Sequence, residues 1–321
     1  MGHVHDHSDM WMPTDPPTWA RLFTPHLDGW SWIAGLTVLA LVAYLVGLAR
    51  LRRAGVRWPW WKTASFVLGA VSLFAVTGTE LHGYSMVLFS VHMAQHMVLS
   101  MVSPLLLLLG SPVTMALRTL PRGRGTAGVP RALLLEALHS RLAQFLSHPG
   151  FTIPLFILSL YGVYFTPIFD DLMADPLGHQ FMLAHFTVTG LLFFGPILGA
   201  DPWPRTVGHG GRMIELLLPM PFHAFFGVAI MMSSSLVVET FANPPESWGV
   251  DPLADQTTAG SIAWSFGELP TVLVLAVVFF QWANSEGRRN KTRDRTIDRV
   301  GDSELDAYNA RLKAMASTRQ G

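Results

Sequence analysis

Seven apolar stretches of membrane-crossing length constrain this chain more than any other feature of it. They run approximately over 31 to 49, 64 to 80, 85 to 109, 151 to 169, 180 to 200, 214 to 238 and 260 to 282. A hydrocarbon core about 30 Å thick needs roughly 20 apolar residues per helix. Composition agrees: of 321 residues 50% are hydrophobic and 14% charged, against about 25% charged in a globular protein. The expected fold is all-α, a polytopic membrane protein built as a seven-transmembrane-helix bundle. The first stretch starts too late, after too polar a lead, for a cleaved signal peptide, so it is expected to be a true span and the amino-terminal segment to be kept.

Charge distribution sets the orientation. With the amino terminus outside, Arg21 alone of the 22 basic residues lies on the outer side, and the other 21 fall on inner segments and the tail. By the positive-inside rule the amino terminus is outside and the carboxyl terminus cytoplasmic. Trp30 and Trp32 then anchor the first two helices outside, with Trp58, Trp60 and Trp61 inside. The organisation is an outer His/Met-rich segment (1–30), a seven-helix domain (31–282) and a basic cytoplasmic tail (283–321). Within the domain, "RALLLEALHSRLAQFLSHPG" predicts an interfacial helix over about 131–147, its apolar stripe on the lipid and Arg131 and Arg141 toward phosphates. His139 and His148 read as ordinary surface residues there. Acidic and basic residues balance at 22 each, which implies the bilayer as partner and no nucleic acid.

The chain has no cysteine and 15 methionines. Disulfides and thiolate metal sites are excluded, leaving His, Met, Asp and Glu as ligands. In "HMAQHMVLS" (92–100), His92 and His96 stand four apart, on one helix face. An ionisable group in a membrane helix costs several kcal/mol, faces the bundle interior and marks a functional site. At about 1.5 Å per residue, His92, His185 and Glu268 fall at similar depth in the outer half, and His96 and His223 deeper. Glu80, His82 and Asp255 lie at the outer mouth as capture groups. On the sixth span Met220, His223, Gly227 and Met231 recur at helical spacing, so Met220 and Met231 are possible soft ligands. Imidazoles with thioethers and no thiolate suit copper, whereas His with carboxylate would also suit zinc or iron. The tail "MGHVHDHSDMWM" adds His3, His5 and His7 as outer metal capture.

Four segments together resemble the CtaG family of cytochrome c oxidase assembly factors: "HMAQHMVLSMVSPLLLLLGSPV" (92–113), "HFTVTGLLFFGPILGADPWP" (185–204), "MPFHAFFGVAIM" (220–231) and "DQTTAGSIAWSFGELPTVLV" (255–274). The resemblance implies a membrane protein of the bacterial plasma membrane that helps copper reach the maturing oxidase, with oxidase subunits or another copper carrier as partners. It carries over His92, His96, His185, His223, Asp255 and Glu268 as motif positions. One position departs: many relatives have His before the proline of the fourth span, where this chain has Thr166 before Pro167.

The resulting expectation is a copper-handling protein, not an enzyme. Copper of either oxidation state would pass from an upper site of His92, His185 and Glu268 to a lower one of His96 and His223. The alternatives are a metal-free scaffold for the oxidase, a b-type haem protein using His pairs on facing helices, and a zinc or iron enzyme, for which no HExxH or similar motif is present.

Overall fold

The computed structural model describes residues 12–26, 31–123, 125–205, 207–300, 307–312 and 315. Among them there is no strand, only an isolated bridge between Pro25 and Thr79. The chain divides into two units, 1–275 and 276–321.

In the first unit a short α1 (Trp19–Leu22) precedes α2 (Trp32–Arg53) and α3 (Trp60–Thr77), and a single turn, α4 (Leu81–Tyr84), leads to α5 (Phe89–Met97). A π-helical turn, Val98–Val102, joins α5 to α6 (Ser103–Leu109), and α7 (Pro112–Thr119) follows. Then come α8 (Val129–His139), α9 (Arg141–Leu146), α10 (Pro149–Tyr164), α11 (Ile168–Ala174), α12 (Pro176–Leu198), α13 (His209–Leu217) and α14 (Met220–Met232). α15 (Pro252–Val300) begins in this unit. In the second unit the described backbone from 276 to 300 and 307 to 312 is helical.

Six helical runs are long and apolar enough to cross a membrane, and a seventh is obtained if the bent pair α10 and α11 counts as one span. That pair turns by 74° at Phe165–Pro167, so the fourth expected stretch is a helix of 16 residues plus an angled turn rather than a straight rod. The interfacial segment is likewise two helices, α8 and α9, broken at Ser140, whose hydroxyl caps α9 through the Ala143 N–H. Large apolar side chains such as Leu39, Leu68, Val188, Phe225 and Val272 are exposed on the bundle surface, as lipid contact requires. Trp60 and Trp61 are exposed as anchors should be; Trp58 instead donates to the Tyr44 hydroxyl at 3.1 Å.

The third stretch is interrupted for a local reason. Pro104 has no N–H to give the carbonyl four residues back, and its ring crowds that carbonyl. The turn widens, and the Ser103 N–H bonds to the Val98 carbonyl five residues back. The Ser100 hydroxyl takes the His96 carbonyl at 2.8 Å. α12 packs directly on this turn at Gly190: a Cβ there would stand 2.1 Å from the Ser100 carbonyl oxygen. π turns in α-helices recur at functional sites, and this one lies directly after His96.

Acidic side chains close the helix ends. Asp255 accepts from the Phe89 and Ser90 amides at 2.7 and 3.2 Å, capping α5 from α15. Asp201 caps α7 through Val113 N and Thr114 N, and Asp175 caps α12. Each offsets amides that a helix start leaves unpaired.

Candidate functional site: a buried imidazole cluster

α4, α5 and α12 bring three imidazoles together. The His82 and His179 rings lie parallel, within 9°, with centroids 5.0 Å apart. His92 lies 6.0 Å from His179. His92 and His179 are each 1% exposed. Two glutamines frame the group: the Gln95 and Gln180 amides contact the two ring nitrogens of His82, each at 3.3 Å. Gln95 also donates to the Val76 carbonyl at 2.5 Å, and Ser31 donates to Gln180. Enclosure pushes His82 down to about 4, so at physiological pH its imidazole is neutral, the form that ligates a metal.

Tyr164, buried at the end of α10, links the cluster to the next turn down. Its hydroxyl lies 3.1 Å from His92 Nε2 and 2.8 Å from His96 Nδ1. One hydroxyl offers one proton and accepts another, so it donates to one ring and accepts from the other. His96 is further fixed by stacking on Phe186 at 3.6 Å. The rings of Tyr164, Phe169, Phe186 and Phe241 fill the surroundings of His92 and His96.

His92, besides Tyr164, has the Ser85 backbone as a hydrogen-bond partner, whereas His179 Nε2 remains without one. Such a buried group costs about 1–3 kcal/mol, which makes His179 Nε2 the place where a ligand would gain most. Imidazoles sharing a metal at about 2.0 Å hold their ring centres about 5 to 6 Å apart, and His179 stands at that spacing from both His82 and His92. The orientation is different: parallel rings do not point at one centre. Among the described residues no group of three or more His, Asp or Glu side chains is disposed to hold a metal ion as it stands.

The structure sorts the sequence-predicted residues differently from their depths. His92 and His96 do share one buried face, joined by Tyr164. His185 lies on α12 but takes Ser159 as its partner, Nε2 to Oγ 2.7 Å, and does not join His92. Glu268 is exposed. The buried stripe of α15 in the first unit runs through Gln256, Ala259, Gly260, Ala263, Gly267, Pro270, Thr271 and Val274, and Glu268 stands about 100° round from Gly267, turned away from the bundle. His223 is buried elsewhere, against Gly267. Met220 lines the same small cavity, while Met231 is contacted by the Ser261 hydroxyl at 3.2 Å. Asp255 is committed to capping α5. Glu80 starts α4, and His82, expected at the mouth, belongs to the cluster itself. The capture residues His3, His5 and His7 lie outside the described residues. His179 and Tyr164 were not expected. "DPLGH" did carry a signal, since Asp before Pro marks a helix start and puts His179 one turn inside α12.

Residues 42–285 match the family described as cytochrome c oxidase caa3 assembly factor (CtaG). The chain belongs to that family. As a CtaG-family member it is a multi-pass protein of the bacterial plasma membrane, and the whole cluster lies inside the matched segment. It is 43% identical to the uncharacterized protein Mb0105 of Mycobacterium bovis over 311 residues, 95% of this chain and 46% of that relative. The uncharacterized proteins MT0111 of Mycobacterium tuberculosis and ML1998 of Mycobacterium leprae show 43% and 40% identity, again over 95% of this chain. The chain spans about half the length of these curated relatives. No solved structure matches it.

Proposed function

We propose that the chain handles copper during cytochrome c oxidase assembly, receiving it on the outer side in the His82–His92–His179 cluster. The observation that supports this reading is the unpartnered His179 Nε2, buried among imidazoles whose ring centres lie 5.0 and 6.0 Å from its own. Nitrogen ligands without thiolate suit copper and permit release to a partner, an oxidase subunit or another carrier. Loading requires the His82 and His179 rings to turn out of their stacked arrangement, and the glutamine amides, which contact His82 at the long distance of 3.3 Å, are partners that such a turn gives up at low cost. No bond of a substrate is made or broken. His3, His5 and His7 would collect the metal ahead of the cluster.

The test is metal content. Protein purified without nickel resin should bind copper, and His92→Gln combined with His179→Gln should keep near-normal abundance in the membrane while losing the copper held by the cluster. Unchanged copper in that variant overturns the reading. A metal-free scaffold is the second reading, favoured by the parallel stacking of His82 on His179, and it expects wild-type protein to carry no copper.

The direction of transfer rests on the seven-span, amino-terminus-out arrangement. Single cysteines at Ser247 and Thr126, both exposed, should label from opposite sides of the membrane in intact cells, Ser247 from outside. Labelling of both from one side contradicts it.

A further inference from the structure

His223 poses a separate chemical problem. It is 3% exposed, and neither ring nitrogen has a hydrogen-bond partner, although a neutral imidazole offers one donor and one acceptor. The ring can come this close to α15 because residue 267 is glycine: a Cβ there would stand 2.1 Å from His223 Nδ1. Beside it is a cavity of about 10 Å³ lined by His223, Met101, Met220, Phe156, Phe193 and Thr271, among others. That volume holds one water-sized particle. A water there would need two to four polar partners, and the Thr271 hydroxyl is already spent on the Gly267 carbonyl at 2.8 Å. Met101 belongs to the π turn and Met220 stands one turn before His223 on α14 itself, so the cavity lies between one imidazole and two methionines, one from its own helix and one from the π turn.

We propose that this chamber is a binding site for a single soft monovalent cation, Cu(I), held by His223 with the sulfurs of Met101 and Met220. It rests on the copper-handling reading and adds a second site with its own selectivity. Thioether and imidazole ligands favour Cu(I) by softness. The lining contributes no carboxylate, so the ion's charge stays uncompensated, and the cost of moving an ion into a medium of low dielectric rises with the square of its charge. A dication such as Zn(II) or Cu(II) is therefore penalised about fourfold more than Cu(I).

The experiment uses the full chain purified in detergent and stripped with a chelator. It is titrated anaerobically with Cu(I) against a competing chelator, and separately with Ag(I), a redox-inert monovalent probe. The wild type should take up one more equivalent of either ion than His223→Leu. The metal-free His223→Leu variant should melt no lower than wild type, because an unpartnered polar group has been replaced by an apolar one of similar size. Ag(I) should raise the melting temperature of the wild type more than that of the variant. Met101→Leu with Met220→Leu, a volume-conserving change, should weaken this equivalent at least tenfold and remove sulfur scattering from the copper X-ray absorption spectrum. Equal stoichiometry in wild type and His223→Leu, with sulfur scattering unchanged in the methionine variant, overturns the proposal. If copper is lost only from His92→Gln with His179→Gln, the cluster reading stands and the chamber falls. If it is lost only from the His223 and methionine variants, the chamber stands and the cluster reading falls. A wild type that binds neither ion overturns both.

Discussion

Gly190→Val should abolish folded protein. A Cβ at 190 would stand 2.1 Å from the Ser100 carbonyl oxygen, 2.8 Å from its carbon and 2.7 Å from Pro104 Cγ. The obstacle is backbone on one side and a proline ring on the other, so no flexible side chain can swing aside. Over-packing of a core usually costs about 1–3 kcal/mol when side chains can adjust; here α12 and the π turn must separate as bodies. That separation would also pull His179 and Phe186 from His92 and His96. The expected result is loss of the protein from the membrane fraction, or a collapsed size-exclusion peak in detergent, and Gly190→Ala should show the same defect in milder form. A Gly190→Ala protein melting like wild type would mean that α12 does not approach Ser100 this closely.

The bundle was legible in the sequence because its governing signal is crude: length and hydropathy suffice to locate a span, whatever the residues pack against. The site was half legible. His92 and His96 four residues apart were correctly placed on one buried face, because helical period alone determines that. Glu268 was placed by depth without its angle, and the angle was there to read: Ala259, Ala263, Gly267 and Thr271 repeat every four residues, and Glu268 is off that line. His179 was missed because the fifth apolar stretch starts at Gln180, one residue after it, whereas the helix starts at Pro176 under an Asp175 cap. The π turn has a visible cause in Pro104. The meeting of His82 with His179 has none, because it depends on the single turn Leu81–Tyr84 folding under the bundle's end, a tertiary event without periodicity. Tyr164 was invisible for a similar reason, since a tyrosine at the end of an apolar stretch ordinarily reads as an interfacial anchor.

Tyr164→Phe should be the most damaging single-atom change in the site. The hydroxyl partners His92 Nε2 at 3.1 Å and His96 Nδ1 at 2.8 Å, and both rings are almost fully enclosed. Its removal leaves two buried nitrogens unpaired, a cost of about 2–6 kcal/mol at about 1–3 each. That is a large share of the roughly 5–15 kcal/mol by which domains are held folded. Phenylalanine keeps the ring contacts with Phe89 and Phe169, so the loss belongs to the hydrogen bonds and not to packing. The metal-free variant should melt well below wild type. Adding His92→Leu and His96→Leu to Tyr164→Phe should recover part of the loss, because removing both ends of a buried hydrogen bond is cheaper than removing one. Copper then separates the two functional readings. If imidazoles of this group take the metal, Cu(I) should raise the melting temperature of Tyr164→Phe by more than that of wild type, since a metal bond replaces the missing hydrogen bond at His92. In a metal-free scaffold the two proteins should melt at the same temperatures with and without copper. A Tyr164→Phe protein as stable as wild type would show that the hydroxyl does not bridge the two histidines, and the linkage between the cluster and the turn below it would fail.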